Sequence, residues 1–387
     1  MASRFSLLPI KMYEVFQQRM HPLGKFAGRD IACMQKLQRN CCTSWRWKAC
    51  RTFSACPTIA PTARPYDIAS TILTAQGRTL HPNKLVPESP PPSAQDLNFL
   101  CKFVERSQRL VVLTGAGAST ESGIPDYRSP NGAYNTGFKP MTHQEFVRSV
   151  TSRQRYWARS YVGWRRFLAA LPGPTHKVLS KLEERSRIFG IITQNVDRLH
   201  HKAGSNPIEL HGTTHVVVCL ECGDLVHRQV VQEKMKELNS EWSKAVEMLE
   251  KGEAGSDVSF GLQQRPDGDI EIKDSFNEAF NIPHCDKCGG MLKPDVVFFG
   301  DNVPQARVDA AKSMIQAGDS LFVVGSSVMV MSAFRLVRLA KDCGLPVAIL
   351  NIGPTRADEL ASIKVEARSG EVLPRLLSML SLNVHPI

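Results

Sequence analysis

Two groups of residues in this chain have the types and spacing to do chemistry. The first is cysteine. Cys219-x-x-Cys222-Gly223 and Cys285-x-x-Cys288-Gly289 form two pairs. Two intervening residues let both thiolates of a pair reach one ion, and the following glycine permits a tight turn that aims backbone N–H groups at sulfur. Four thiolates in tetrahedral array suit Zn2+ and leave no coordination position open, so one structural zinc is expected. The interval 223–284 is longer than in common zinc ribbons, which weakens the argument from spacing alone. Redox-active pairs are the alternative, but they need a thioredoxin-like context that the flanking sequence lacks.

The second group is glycine and polar residues placed after strand-like runs. Thr114-Gly115-Ala116-Gly117-Ala118-Ser119-Thr120 follows the β-branched run 109–114. Glycines let a backbone approach a pyrophosphate, and the next helix presents unpaired N–H groups to its charge. Thr120 stands where the dinucleotide fingerprint has its third glycine, so this turn alone would equally fit a plain strand–helix connection. The loop 123–129 follows at once, and its Arg128 can neutralise phosphate charge. Gln194-Asn195-Val196-Asp197, Leu210-His211-Gly212, Gly325-Ser326-Ser327 and Asn351-Ile352-Gly353 complete the set. Doubly wound sheets bind ligands at the carboxyl ends of their strands, so these groups are expected to converge on one edge. Taken singly, Asp197 and Ser119 would be ordinary helix caps.

The elements that must position these groups are legible. Runs 109–114, 188–193, 320–324 and 346–352 read as buried strands. Stretches 147–168, 174–184, 308–316 and 331–341 read as helices. Alternation of the two implies an α/β fold with a parallel sheet covered on both faces. The expected architecture is a Rossmann-like doubly wound domain over 96–211 and 301–380, with a smaller zinc-binding module, 212–300, inserted. Residues 66–95 read as a Pro-rich linker.

Composition sets the outer bounds. The chain has 387 residues, 42% hydrophobic and 22% charged. That is enough for two or three folded units and excludes wholesale disorder, collagen-like repeats and a small disulfide scaffold. No apolar run reaches the roughly 18 residues of a membrane span. Eleven cysteines, an odd count, argue against a closed disulfide framework. Cys101 and Cys343 are expected to be buried free thiols. The net charge is +11, but residues 1–65 hold 11 Lys/Arg against two acids, so the excess sits in one segment. A nucleic-acid partner is therefore not expected. A segment rich in Arg and Lys, poor in acids and interleaved with apolar residues reads instead as a mitochondrial transit peptide, directing the chain to the matrix.

With these motifs in hand, the chain resembles the sirtuins, the NAD-dependent protein-lysine deacylases. The resemblance is carried by 115–119, 123–128, Gln194–Asp197, His211-Gly212, both cysteine pairs and the run 293–301. Tyr127 and the runs 294–300 and 351–356 are most similar to the class II, mitochondrial branch. The resemblance implies that NAD binds along Gly115, Ala116, Gly117, Ala118, Ser119, Thr120, Glu121, Ser122, Gly123, Ile124, Pro125, Asp126, Tyr127 and Arg128. Gln194, Asn195, Val196, Asp197, Gly325, Ser326, Ser327, Asn351, Ile352, Gly353 and Ser369 would complete the cofactor site. His211 would be the general base, assisted by Asn195 and Asp197, while Val297, Phe298 and Phe299 would bind the substrate backbone as an added strand. Tyr156 and Arg159 resemble a pair that reads acidic acyl chains. The other reading of that pair is a solvated basic helix.

The implied activity removes lipoyl, biotinyl or substituted glutaryl groups, more than acetyl, from acyl-lysine proteins such as mitochondrial metabolic enzymes. It leaves room for protein ADP-ribosyl transfer. Two rivals remain: an NAD-linked dehydrogenase, and a sirtuin-like binding protein without turnover.

Overall fold

Leu110–Thr114 (β1) is apolar up to its last residue, with Val111 and Val112 at its centre, and all five residues are buried. Strands of that kind need partners on both edges and cover on both faces. The computed structural model, which describes residues 85–250, 265–270 and 280–382, supplies both. The expected transit peptide and most of the linker lie outside the described residues. β1 pairs in parallel with Gly190–Thr193 (β2) on one side and Ser320–Val324 (β7) on the other. The full sheet has six strands in the order β3-β2-β1-β7-β8-β9, with Ile208–Glu209 (β3), Val347–Leu350 (β8) and Ile363–Val365 (β9) outermost. Every neighbouring pair is parallel. Strand order reverses direction between β1 and β7, which makes that seam the switch point of the sheet.

Register decides what meets at the seam. Thr114 aligns with Thr193 and with Val324, and Val324 aligns with Leu350. The four strands therefore end level, and the loops starting at 115, 194, 325 and 351 leave from one edge. Two of them interlock by backbone: Gly117 N–H donates to Gly325 C=O at 2.9 Å. Gly325 has φ +61°, and a Cβ there would lie 2.5 Å from the Ala118 nitrogen. Only glycine fits this contact.

A second, antiparallel sheet stands apart from the first. Gly212–Cys219 (β4) is its centre, flanked by Leu225–His227 (β5) and Leu292–Val296 (β6). Its core is aromatic, with Trp157, Tyr156, Phe146, Trp242, Phe280 and Phe298 around Val217 and Met235. Two helices from earlier in the chain, His143–Arg148 and Val150–Ala169, supply part of that core, in addition to the expected 212–300 segment. The single helix expected over 147–168 is split at Ser149, whose hydroxyl accepts from Ser152 N–H at 3.1 Å and caps the second helix. Cys101 is buried as expected, whereas Cys343 is exposed, at the end of helix Met331–Asp342. No helix among the described residues is long and apolar enough to cross a membrane.

The chain passes from the first sheet to the second at Leu210–Gly212. Leu210 N–H donates to Thr193 C=O at 2.9 Å, and Val297 N–H donates to His211 C=O at 2.9 Å. Gly212 has φ +78°, and a Cβ there would lie 1.9 Å from the Asp295 carbonyl oxygen. Replacing Gly212 with Ala should therefore cost about 2 kcal/mol or more. Urea unfolding monitored by tryptophan fluorescence will show a lowered midpoint, and an unchanged midpoint would contradict this account of the crossing.

Candidate active site

The loops at the strand ends and the crossing at Leu210–Gly212 enclose one cleft of about 1370 Å³. His211 lies on its wall. The sequence places a histidine between an apolar residue that anchors to β2 and a glycine that opens β4, so the ring is carried on backbone fixed at both sides. Its Nδ1 is 3.1 Å from the Gln194 carbonyl oxygen. A carbonyl only accepts, so in the neutral ring the proton sits on Nδ1 and the lone pair on Nε2. Burial pushes the ring down to about 4, with Arg307 adding to the effect and the Gln194 carbonyl opposing it. At neutral pH the ring is therefore an uncharged base.

Behind it lies a closed polar network. Asn195, only 9% exposed, donates through Nδ2 to Gly115 C=O and to Ser119 Oγ, both at 3.0 Å. Ser119 Oγ donates to Asp197 Oδ2 at 2.7 Å. Asp197 Oδ1 accepts from Leu199 N–H at 2.9 Å, which makes it a cap of the short helix Leu199–Lys202 as well as a cleft residue. With both amide hydrogens of Asn195 engaged, its carbonyl oxygen is the group it can offer to a ligand.

His176 joins the same network: its Nδ1 accepts from Gly173 N–H at 3.3 Å, and its Nε2 lies 3.4 Å from Ser119 Oγ. His200 stacks edge-on against it at 4.8 Å and pairs with Thr114 Oγ1 at 2.9 Å. Burial pushes these rings down to about 4 and about 3, which keeps both neutral. Sequence reasoning gave neither histidine a place beside the site. The only signal was their position, one on a helix start and one just beyond Asp197.

Most of the expected cofactor residues do line the cleft. Of the loop 115–128, Ala116, Gly117, Ser119, Thr120, Glu121, Ile124, Asp126, Tyr127 and Arg128 face it. Gly115, Ala118, Ser122, Gly123 and Pro125 do not, and Gly115 acts from behind through its carbonyl. The segment after Gly115 is a 3-10 helix, Ala116–Ser122, rather than the α-helix start expected there. Arg128 packs over the Tyr134 ring at 5.2 Å. Gln194–Asp197, Gly325–Ser327, Asn351–Gly353, Ser369 and Val297–Phe299 also line the cleft.

Tyr156 and Arg159, expected to read the acyl chain, do not themselves line the cleft but lie behind residues that do, Phe298 and Asp267. Tyr156 is 3% exposed inside the aromatic core, 5.2 Å from Phe298 and 5.5 Å from Phe146. Arg159 is drawn toward Asp267 and Asp269, whose carboxyls burial pushes up while Arg265 and Arg159 pull them back. Aromatic residues at helical spacing satisfy a core as readily as a binding wall, and here the core took Tyr156. The cleft also has walls that the motifs did not announce: the segment 86–88, Asp267, the loop 328–332 and Arg368.

At the far end of β4 the four cysteines come together. Their Sγ atoms all lie within 4.8 Å of one another, with Cys219–Cys288 at 3.5 Å and Cys222–Cys285 at 3.8 Å. Tetrahedral Zn–S bonds of about 2.3 Å put sulfurs about 3.8 Å apart, so the cluster fits that ion. Backbone N–H groups of Cys288 and Lys287 pull the Cys285 thiol down to about 7, while bonds among the neighbouring thiols push Cys288 up against the Gly290 N–H. An eight-residue strand, β4, separates the cluster from His211 by up to about 26 Å of chain at 3.3 Å per residue. The cysteine cluster is thus remote from the cleft, and an ion held there would tie the two ends of the small sheet's chain together.

Comparison with known proteins agrees with this geometry. A profile described as the Sir2 family matches residues 115–332. The chain is 56% identical over 311 residues to the NAD-dependent protein deacylase SRT2 of Arabidopsis thaliana, covering 80% of this chain and 83% of that one. It is 47% identical over 292 residues to the NAD-dependent protein lipoamidase sirtuin-4, mitochondrial, of Homo sapiens, covering 75% and 88%. A solved structure described as "Structural Basis for the Mechanism and Regulation of Sir2 Enzymes" superposes with a TM-score of 0.56 at 29% identity, over 75% of this chain and 99% of that one.

The cysteine cluster carries its own test. Metal analysis of the purified chain should find about one zinc per molecule. Removing it with a strong chelator should melt the small sheet and expose its tryptophans. Metal-free protein with an unchanged tryptophan spectrum and melting temperature would contradict the pinning role.

Proposed function

This chain belongs to the Sir2 family, and on that premise we propose that it is an NAD-dependent protein-lysine deacylase of the mitochondrial matrix. It takes lipoyl, biotinyl or substituted glutaryl groups in preference to acetyl. The products are nicotinamide, O-acyl-ADP-ribose and free lysine. Protein ADP-ribosyl transfer is a second outcome of the same site, and the substrates are metabolic enzymes of that compartment. The names of the relatives, deacylase and lipoamidase, support the reaction class. The basic segment 1–65 and the mitochondrial relatives of cattle and human support the location.

The observation that carries the reading is the placement of one neutral imidazole. His211 lines the same cleft as Asn195, Asp197, Phe298 and Phe299. Bound NAD supplies an activated glycosidic carbon and the ribose hydroxyl that becomes the acyl acceptor. The residues of the chain do the rest. The 115–119 turn and the interlocked Gly325–Ser327 loop hold the pyrophosphate with those backbone N–H groups that they do not spend on one another or on the strands. Asn351 meets the adenosine ribose. Val196, Asp197 and nearby backbone bind the carboxamide of the nicotinamide, which needs one acceptor and one donor.

His211 Nε2 takes the proton of the ribose hydroxyl while Nδ1–H stays on the Gln194 carbonyl. Asn195 orients the ribose and the hydrolytic water through its carbonyl oxygen. The Val297–Phe299 segment pairs with substrate backbone, and its phenylalanines keep bulk water from the acyl group.

Incubation of the chain with NAD and a panel of acyl-lysine peptides tests this. Nicotinamide and O-acyl-ADP-ribose should appear in equal amounts, fastest with lipoyl- or biotinyl-lysine. His211→Tyr should lower kcat/KM by about 100-fold or more. Formation of NADH would overturn the reading in favour of a dehydrogenase, and NAD binding without any turnover would overturn it in favour of a binding protein.

A further inference from the structure

Ser332 is a residue that none of the sequence motifs singled out. It is the second residue of helix Met331–Asp342 and lines the cleft. A serine in the first turn of a helix ordinarily serves the helix's own N–H groups. Here the cap position is Val330, which makes no side-chain cap bond, and the Ser332 hydroxyl points elsewhere. Its Oγ lies 2.8 Å from His211 Nε2. Because the Gln194 carbonyl fixes the proton on Nδ1, Nε2 is an acceptor and the hydroxyl donates to it. Both ring nitrogens are thus held, one by the backbone after β2 and the other by a side chain from beyond β7.

The segment that delivers Ser332 is strained. Val328, four residues before it, has φ +51° and is buried. A β-branched residue in the left-handed region is an outlier that persists only where its surroundings over-determine it. Val328 N–H donates to Ser326 Oγ at 3.1 Å, Arg356 N–H donates to Ser327 C=O at 2.9 Å, and the Arg356 guanidinium donates to Met329 C=O at 3.1 Å. These bonds hold the loop in a path that brings the helix start against the imidazole.

We propose that Ser332 is a positioning residue for the general base: its hydroxyl holds the Nε2 lone pair of His211 aimed into the cleft. The proposal rests on the reading of His211 given above. Ser332 acts through the ring: its hydroxyl touches Nε2, the atom that will take the proton, and takes no part in the proton transfer itself. One bond at Nδ1 leaves the ring free to pivot, and the second bond removes that freedom before the ribose hydroxyl arrives. When it arrives, the serine rotor turns aside and the proton passes from the ribose hydroxyl to Nε2.

The test uses the full chain and begins without NAD. Histidine-selective 15N labelling reports which ring nitrogen carries the proton and whether the bare one accepts a hydrogen bond. The His211 signal is identified by its loss in His211→Asn. Wild-type protein should show an Nε2 without a proton and shifted by hydrogen bonding. Ser332→Ala should move that signal toward the free value, and Ser332→Thr should restore it. With NAD and lipoyl-lysine peptide, Ser332→Ala should lose up to about tenfold in kcat, the cost of ordering one free ring in each turnover, with KM for NAD within twofold. Ser332→Thr should recover most of that loss.

A thermal melt of each variant accompanies these readings, and Ser332→Cys replaces Ser332→Ala if the alanine variant does not fold. An unmoved Nε2 signal, a proton on Nε2, or an unchanged or raised kcat in Ser332→Ala would overturn the proposal. If His211→Asn keeps full deacylation, the assignment of the base itself falls. If His211→Asn abolishes deacylation while Ser332→Ala changes neither signal nor kcat, only the role of Ser332 falls.

Discussion

Everything in this molecule turns on how three residues, Leu210 to Gly212, cross from one sheet to the other. The crossing is fixed by backbone hydrogen bonds on both sides: Leu210 N–H to Thr193 C=O, and Val297 N–H to His211 C=O. The ring of His211 adds a third tie, to the Gln194 carbonyl. An imidazole on a free loop would sample many orientations, and each immobilised side chain costs entropy when it is finally ordered. Here that cost is met during folding. The tautomer is set as well, because a carbonyl accepts from only one kind of ring nitrogen.

The parallel sheet contributes level strand ends. Thr114, Thr193, Val324 and Leu350 stop in register, so the loops that follow can share one cleft. Behind them, Asn195, Ser119, Asp197 and His176 satisfy one another in a nearly dry setting. A buried network of this kind is stable only when every member has its partner, and it then holds side chains rigidly. The small sheet contributes the opposite wall, Val297–Phe299, and the cysteine cluster at its far end secures it. Cleft and cysteine cluster are thus separated along one strand: β4 begins beside His211 and ends at Cys219.

Much of this was legible in the residues, and what was not has physical reasons. β7 ends where its apolar run ends, because a fully buried strand leaves a continuous apolar signature. The two-residue β3 carries no such signature and is fixed only by its neighbour β2. The split at Ser149 escaped because a serine within a helical pattern reads as tolerated unless its hydroxyl is known to cap the next turn. Among the site residues, the loops after strands were found because glycine and polar residues directly follow apolar runs. Local pattern put Tyr156 and Arg159 on the acyl path; packing sets Tyr156 in an aromatic core against Phe298 and Arg159 near Asp267 and Asp269, behind the cleft lining. Ser332 and His176 reach the site across 121 and 57 residues of chain, and no local pattern encodes such pairings.

A crystal structure of the full chain with NAD and an acyl-lysine peptide tests the central claim most directly. It should show His211 Nε2 about 3 Å from a hydroxyl of the nicotinamide ribose, Nδ1 still on the Gln194 carbonyl, and the acyl group between the ribose and Phe298. A ribose bound on the other side of the Asn195–Asp197 network, with the imidazole turned from it, would contradict the account.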